Sequence, residues 1–139
     1  RDLINIFNSS DGHIINISSI HAKLTKSNFT AYAASKAALE SVTRSLAIEL
    51  SSLGISINCI APAAILTNML KSSFINNPEG LKELENYHPT KKIASPHELA
   101  LFVKSISDSK GGFLTGSVID FSGGISNVLN DPENGIQKK

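Results

Sequence analysis

The chain has 139 residues, of which 41% are hydrophobic, and this length suffices for one domain with a hydrophobic core but not for two. The formal net charge of +1 argues against nucleic acid as a partner, and no apolar stretch is long enough to suggest a membrane partner. Cys59 is the only cysteine, which excludes an internal disulfide and favours a reducing, cytoplasmic location.

The first half of the chain predicts a strand followed by a long helix. Residues 1–8 resemble the end of a helix, and residues 9–12 resemble a turn. Residues 13–17 are apolar on both faces, which predicts a central parallel strand, and a polar loop follows to about Asn28. The helix is predicted over 29–53 with Gly54 at its end. Its core-facing stripe is predicted from five residues at helical spacing: Leu39, Val42, Leu46, Leu50 and Leu53.

The second half predicts two more strands with helices between them. Residues 55–60 indicate a buried strand that ends at Pro62. Asn77 and Pro78 resemble a helix start, and residues 95–98 form a capping-box pattern before a helix of about twelve residues. Residues 114–121 predict the last strand, and residues 125–139 a polar tail. The expected fold class is α/β, with about three parallel strands and flanking helices in one domain over 1–139.

Three residues with useful chemistry are expected at one edge of this sheet. Tyr32 and Lys36 are four residues apart and therefore share a helix face, and Ser19 follows the first strand. Ligands bind at the edge where the strands of an open α/β sheet end. A phenol has a pKa of about 10, and a nearby ammonium favours its ionised form, so Tyr32 could exchange a proton with an alkoxide. Ser19 could hold a carbonyl oxygen, and Lys36 a ribose hydroxyl.

Spacing alone leaves two interpretations of these residues open. A Tyr/Lys pair on a helix is usually part of a solvent-exposed face, whereas the trio could also support hydride transfer at a carbonyl. Other reaction centres find less support in the sequence. The four histidines lack the spacing of metal ligands, so no metal site is predicted. Cys59 lies in an apolar run, which is typical of a core residue rather than a nucleophile.

Four sequence blocks carry a family resemblance. They are Gly12-His-Ile-Ile-Asn-Ile-Ser-Ser19, Tyr32-Ala-Ala-Ser-Lys36-Ala-Ala-Leu, Ile57-Asn-Cys-Ile-Ala-Pro62, and Leu114-Thr-Gly-Ser-Val-Ile-Asp120 with Gly123-Gly124 after it. In this order and spacing, the chain resembles the short-chain dehydrogenases/reductases from about residue 13 to residue 124. The resemblance implies an NAD(P)-dependent oxidoreductase that interconverts an alcohol and a carbonyl. It also implies that the chain is the C-terminal half of a Rossmann-like, doubly wound parallel sheet.

The resemblance further implies roles for individual residues. Ser19, Tyr32 and Lys36 match the family's catalytic serine, tyrosine and lysine. The cofactor, NAD or NADP, would contact Tyr32 and Lys36 together with four loop residues: Pro62, Ala63, Ile65 and Thr67. A small alcohol or carbonyl substrate would contact four residues: Ser19, Ile20, His21 and Ala64.

Three further expectations come from the same resemblance. Ala63 stands where glycine is usual, and a positive φ there would strain an alanine. The segment 68–88 would form a mobile lid over the substrate. The full-length protein would be a homo-oligomer, either a dimer or a tetramer.

A second interpretation of the whole chain stays open. The sequence has no G-x-G-x-x-G loop between a strand and a helix, and in the resembled family that loop precedes the point where this chain begins. The chain could therefore be a non-catalytic remnant or a dimerisation module that binds no cofactor. The sequence distinguishes neither NAD from NADP nor one substrate from another.

Overall fold

The computed structural model of the protein describes residues 12–109 and 111–129. It contains three strands, β1 (Gly12–Ile17), β2 (Ile55–Pro62) and β3 (Val118–Phe121). Four helices accompany them: α1 (Thr30–Ser51), α2 (Asn68–Ser73), α3 (Pro78–Tyr87) and α4 (Pro96–Ser107). Short 3-10 turns at Ile20–Ala22 and Ile125–Asn127 follow β1 and β3. The predicted helix end over 1–8 and most of the polar tail lie outside the described residues.

The three strands form one parallel sheet in the order β1-β2-β3. Gly12 pairs with Ile55 at one end, and Pro62 pairs with Phe121 at the other. This confirms the predicted α/β class with three parallel strands and flanking helices. Within the described residues β1 pairs with β2, and Ile17 is 39% exposed, so the central position of the first strand stays a prediction.

The core of the sheet lies on β2, whose eight residues are all buried. Ile57, Cys59 and Ile60 are no more than 1% exposed, and their burial removes apolar surface from water. Burial raises the pKa of the Cys59 thiol above its ordinary value, so the residue is a poor nucleophile near neutrality. The prediction that Cys59 belongs to the core is confirmed.

The face that α1 turns towards the sheet differs from the predicted leucine stripe. Its buried residues are Glu40, Thr43, Ala47 and Leu50, whereas Val42 is 49% exposed and Leu53 50% exposed. Of the predicted stripe, Leu50 is buried and Leu39 and Leu46 are half-buried, so the prediction is wrong at Val42 and Leu53. The physical reason is that Asn16 of β1 and Ser18, directly after the strand, present polar side chains to the helix. The helix faces them with residues that can form hydrogen bonds.

The third strand is shorter than the predicted 114–121, because side chains take up part of the hydrogen bonding between residues 114–117 and β2. The buried Asn58 amide donates to the Leu114 carbonyl oxygen at 2.7 Å and accepts from the Ser117 backbone N–H at 3.1 Å. Between them, Gly116 has φ +72°, and a Cβ at this position would lie 3.1 Å from the Ala47 Cβ. Glycine here allows both the left-handed turn and the close approach to α1.

The predicted helix starts in the second half are confirmed. The Asn77 side chain accepts from the Gly80 N–H at 2.9 Å, with Pro78 as the first residue of α3. The capping box of α4 is formed by Ser95 and Glu98. Among the described residues, no helix combines the length and apolar character needed to cross a membrane.

Candidate active site

The candidate site lies where β1 ends and α1 begins. The ladder continues one residue past β1, because the Ser18 N–H donates to the Ile60 carbonyl oxygen at 2.7 Å. Ser19 follows and is 7% exposed, and its hydroxyl oxygen accepts from the His21 N–H at 3.2 Å. This bond caps the 3-10 turn that carries Ile20 and His21 and leaves the hydroxyl hydrogen of Ser19 to donate elsewhere.

Tyr32 and Lys36 lie one turn apart at the start of α1, as their spacing predicts. The Lys36 Nζ lies 5.7 Å from the centroid of the Tyr32 ring and donates to the Ile17 carbonyl oxygen at 2.9 Å. The lysine side chain therefore joins the end of β1 to the tyrosine. The Tyr32 side chain is 42% exposed and open to solvent or to a ligand.

An aromatic cluster orients the Tyr32 ring. Its edge contacts are with His21, at 5.8 Å between ring centroids, and with Phe29, at 5.6 Å. Burial and the positive charge of Lys26 lower the pKa of His21, so its imidazole is neutral near pH 7. Nδ1 of His21 is buried and has no hydrogen-bond partner within 12–109 and 111–129. Because His21 is neutral, Lys36 supplies the positive charge beside the Tyr32 ring.

Sequence reasoning missed a set of polar contacts that Asn16 of β1 and Ser18, directly after the strand, make with α1, which we call the β1–α1 seam. The Ser18 hydroxyl lies 3.2 Å from both the Lys36 carbonyl oxygen and the Glu40 Oε1. One turn further on, Asn16 Nδ2 donates to the Thr43 hydroxyl at 2.9 Å. The signal for Glu40 and Thr43 was present in the sequence, because they lie at helical spacing with Ala47 and Leu50. Small and polar residues were left out of the predicted stripe.

The end of β2 and the loop after it contain five predicted ligand contacts: Pro62, Ala63, Ala64, Ile65 and Thr67. Pro62 is the last residue of β2, and the Ala63 N–H donates to the Phe121 carbonyl oxygen at 3.1 Å. In the described part of the chain, Asn28 and Lys91 are the non-glycine residues with positive φ, so Ala63 is not strained. The Ile65 carbonyl accepts from the Thr67 N–H at 2.7 Å, and the Thr67 hydroxyl caps α2.

Two cavities lie at this edge of the sheet. One of about 250 Å³ is bordered by Ser19, Ile20, Lys23, Glu40 and Asp120, among others, and Lys23 pairs with Asp120 at 3.7 Å. The other, of about 290 Å³, is bordered by the two alanines at positions 63 and 64 and by His88. Of the predicted site residues, Ser19 and Ile20 border the first cavity and Ala63 and Ala64 the second. The others border neither cavity: His21, Tyr32, Lys36, Pro62, Ile65 and Thr67. No group of three or more potential metal ligands occurs in the part of the chain that the structure describes.

Comparison with known proteins finds a matching family and curated relatives of this chain. Residues 1–126 match the model of a family described as enoyl-(acyl carrier protein) reductase. The chain is 32% identical over 127 residues to glucose 1-dehydrogenase of Gluconobacter oxydans, covering 91% of this chain and 47% of that protein. It is 37% identical over 116 residues to L-xylulose reductase of Caenorhabditis elegans, covering 84% and 46%. The chain therefore spans about half the length of the curated relatives it matches.

Solved structures agree with the sequence comparisons. Aldohexose dehydrogenase of Thermoplasma acidophilum superposes with a TM-score of 0.83 at 28% identity, over 91% of this chain and 52% of that one. ElxO with NADP bound superposes with a TM-score of 0.79 at 27% identity, over 89% and 50%. With the ordered motifs, the parallel sheet and the family match, the chain belongs to the short-chain dehydrogenase/reductase family.

Proposed function

We propose that the protein carrying this chain is an NAD(P)-dependent oxidoreductase that interconverts an alcohol and a carbonyl. The observation that carries the proposal is the position of Lys36. Its ammonium is fixed to the Ile17 carbonyl at the end of β1 and lies 5.7 Å from the Tyr32 ring centroid. Ser18 and Ser19 follow Ile17 in the sequence, and this nearness of Lys36 to the end of β1 supports a site that combines Ser19, Tyr32 and Lys36.

Each of the three side chains has a separate task in this proposal. Ser19 donates its hydroxyl hydrogen to the oxygen of the reacting carbonyl, a bond that strengthens as negative charge develops there. Tyr32 gives that oxygen a proton in reduction and takes one from the alcohol in oxidation. Lys36 stabilises the phenolate by its charge. The neutral His21 holds the Tyr32 ring without adding a second charge to the site.

The residues present fit the nicotinamide end of a dinucleotide. Lys36 uses one of its three ammonium donors on Ile17, which leaves two for ribose hydroxyls. In the loop after β2, the Thr67 hydroxyl accepts a hydrogen bond as a helix cap and keeps its hydrogen for a carboxamide oxygen. When bound, the nicotinamide ring supplies or accepts the hydride. ElxO was solved with NADP, and the choice between NAD and NADP stays open for this chain.

We further propose a small-molecule substrate that reaches the exposed Tyr32 and contacts Ile20, His21 and Ala64. The names of the relatives suggest compounds for a first assay, namely glucose, L-xylulose and a 7alpha-hydroxysteroid. Assembly into a dimer or tetramer and a cytoplasmic location also belong to the proposal. Exposed apolar side chains on α1 support the assembly, with Val42 49% and Ile48 80% exposed.

The decisive experiment replaces Tyr32 by Phe in the protein that carries this chain. Turnover of the substrate found in the assay should fall by about a hundredfold or more, because the proton donor is lost, while affinity for the cofactor stays nearly unchanged. Tyr87→Phe is the matched control, because Tyr87 is 69% exposed at the end of α3. Turnover by Tyr32→Phe close to the parental rate would contradict the assignment.

A cofactor titration separates this proposal from the alternative of a non-catalytic dimerisation module, which the exposed Val42 and Ile48 also favour. Calorimetry measures the binding of NAD(H) and NADP(H) to this chain alone. If the chain holds the nicotinamide end of the cofactor without the rest of the protein, binding should be in the micromolar range. Micromolar binding contradicts the module. Absence of binding both to this chain and to the protein that carries it contradicts the oxidoreductase.

A further inference from the structure

Two buried polar residues of the β1–α1 seam lie beside the candidate catalytic residues without being part of the predicted site. Ser18 is 2% exposed and Glu40 is 4% exposed. The Ser18 hydroxyl has a single hydrogen, and two acceptors lie 3.2 Å from its oxygen: the Lys36 carbonyl oxygen and the Glu40 Oε1. The hydroxyl hydrogen is therefore shared between the helix backbone and the glutamate.

The seam holds Lys36 at two points. Its ammonium donates to the Ile17 carbonyl oxygen at 2.9 Å, and its own carbonyl oxygen accepts from the hydroxyl of Ser18, the next residue. Consecutive residues at the end of β1 thus bind the tip and the backbone of the same lysine. The residue that follows them is Ser19. A shift of the strand relative to the helix at Ser18 would change the distance between Ser19 and the Tyr32/Lys36 pair.

Burying Glu40 is unfavourable, because a carboxyl group loses hydration in the interior and the loss is recovered only by polar contacts. Within residues 12–109 and 111–129, the structure shows no ion pair to Glu40, and Ser18 is its side-chain hydrogen-bond partner. If this position served only for packing, burying an apolar residue of similar size would cost less free energy than burying a glutamate. A geometric requirement at this position accounts for the glutamate better than packing does.

We propose that Ser18 and Glu40 are positioning residues, which hold the end of β1 against α1 so that Lys36 stays fixed between Ile17 and Tyr32. The inference rests on the proposed function, in which Lys36, Tyr32 and Ser19 act together. Glu40 orients the Ser18 hydroxyl, and the hydroxyl ties the helix to the strand. Neither residue touches the reacting atoms.

The test measures how readily the Lys36 amine reacts, which requires neither cofactor nor substrate. The protein is treated briefly with acetic anhydride, and the acetylation rate of each lysine is followed by peptide mass spectrometry. The chain has eleven lysines, so the others serve as internal references. In Glu40→Ala and in Ser18→Ala, Lys36 should react about three to ten times faster than in the parent, which corresponds to losing one hydrogen bond of ordinary net strength.

Matched variants separate positioning from a general loss of stability. Glu40→Gln keeps an oxygen that can accept from Ser18, so Lys36 should stay close to its parental rate. Glu49→Gln and Ser45→Ala change exposed residues of the same helix and should leave Lys36 unaffected. A loosened fold would raise the rates of all the lysines together. Unchanged Lys36 rates in both Glu40→Ala and Ser18→Ala, a rise shared by every lysine, or a Glu40→Gln rate equal to that of Glu40→Ala would overturn the proposal.

A kinetic measurement tests whether the contact between Ser18 and Glu40 affects turnover. Glu40→Ala should lower kcat several-fold while the KM of the substrate changes little, and Glu40→Gln should restore kcat. A Glu40→Ala enzyme with parental kcat and faster Lys36 acetylation overturns the catalytic relevance of the seam. If Tyr32→Phe retains turnover, the proposed function fails separately, and the acetylation rates still decide whether Ser18 and Glu40 hold Lys36.

Discussion

The interior around β2 and the β1–α1 seam are built in different ways. Along β2, the interior contains apolar side chains such as Ile57 and Ile60, which are no more than 1% exposed. In the β1–α1 seam, the contacts are hydrogen bonds that involve Asn16, Ser18 and Thr43. Apolar burial is non-directional and contributes most of the stability, whereas hydrogen bonds depend on distance and angle. The difference indicates that the apolar residues of β2 stabilise the fold, whereas the seam aligns α1 with the end of β1.

The largest expected effect is on the apolar side of this comparison. Ile60→Ala should lower the free energy of unfolding by about 2–5 kcal/mol, because it removes buried methyl groups and leaves a cavity. Ile60 is 0% exposed, whereas Ile48, the control position, is 80% exposed. Urea unfolding followed by circular dichroism measures the free energy of unfolding of Ile60→Ala and of Ile48→Ala. A cost for Ile60→Ala within about 0.5 kcal/mol of that for Ile48→Ala would mean that β2 does not form the core.

A smaller effect is expected from breaking the seam. The Thr43 hydroxyl accepts from Asn16 at 2.9 Å and donates to the Leu39 carbonyl oxygen at 2.8 Å, and the residue is 0% exposed. Thr43→Val keeps the shape but leaves the Asn16 amide unpaired, which should cost about 1–3 kcal/mol in urea unfolding. Replacing both partners, in Asn16→Leu with Thr43→Val, should recover part of the loss. A double variant no more stable than Thr43→Val would argue against a specific hydrogen bond.

A polar contact outside the seam provides the next comparison. The Ser95 hydroxyl accepts from the Glu98 N–H at 3.1 Å at the start of α4. Ser95→Ala should cost about 1 kcal/mol, the usual value of a lost helix cap. The control is Ser105→Ala in the same helix, where the exposed hydroxyl donates to the Phe102 carbonyl oxygen. Equal melting temperatures for the two variants would show that the cap contributes nothing.

The smallest effect concerns the charge of the same cap. Hydrogen bonds from the Ser95 backbone and side chain lower the pKa of Glu98 below its ordinary value of 4.5. The native state therefore favours the ionised form, so this contribution is present above about pH 4.5 and is lost as the pH falls through the lower, folded-state pKa. Glu98→Gln keeps an acceptor but no charge. Its melting temperature should lie below the parental one at pH 7 and converge with it in acid, and a gap independent of pH would contradict this.

The sequence predicted the elements better than it predicted which of their faces are buried. Helix starts at Asn77 and Ser95 followed from local capping chemistry, which the structure confirms. The orientation of α1 did not follow, because its inner face contains Glu40 and Thr43, residues usually found at the surface. Their burial depends on polar partners on β1 that lie far away in sequence. The shortened β3 has a similar cause in the Asn58 side chain.

In the candidate site too, local spacing was predictable from the sequence and contacts between distant residues were not. The helical spacing of Tyr32 and Lys36 was sufficient to predict that they share a face. The contact between Lys36 and the Ile17 carbonyl joins residues 19 positions apart, so no local pattern could reveal it. Roles for Pro62, Ala63 and Ile65 came from the family resemblance and stay predictions. Geometry between distant segments is the information that the sequence pattern lacked.

The burial of Cys59 has a practical consequence for studying this protein in solution. It is the sole thiol of the chain, it is 0% exposed, and burial keeps it in its unreactive form. Maleimide reagents should therefore spare the unmodified chain. A cysteine introduced at an exposed position, such as Ser45 on α1 or Lys82 on α3, would then take up a single fluorophore or spin label without removal of the native residue.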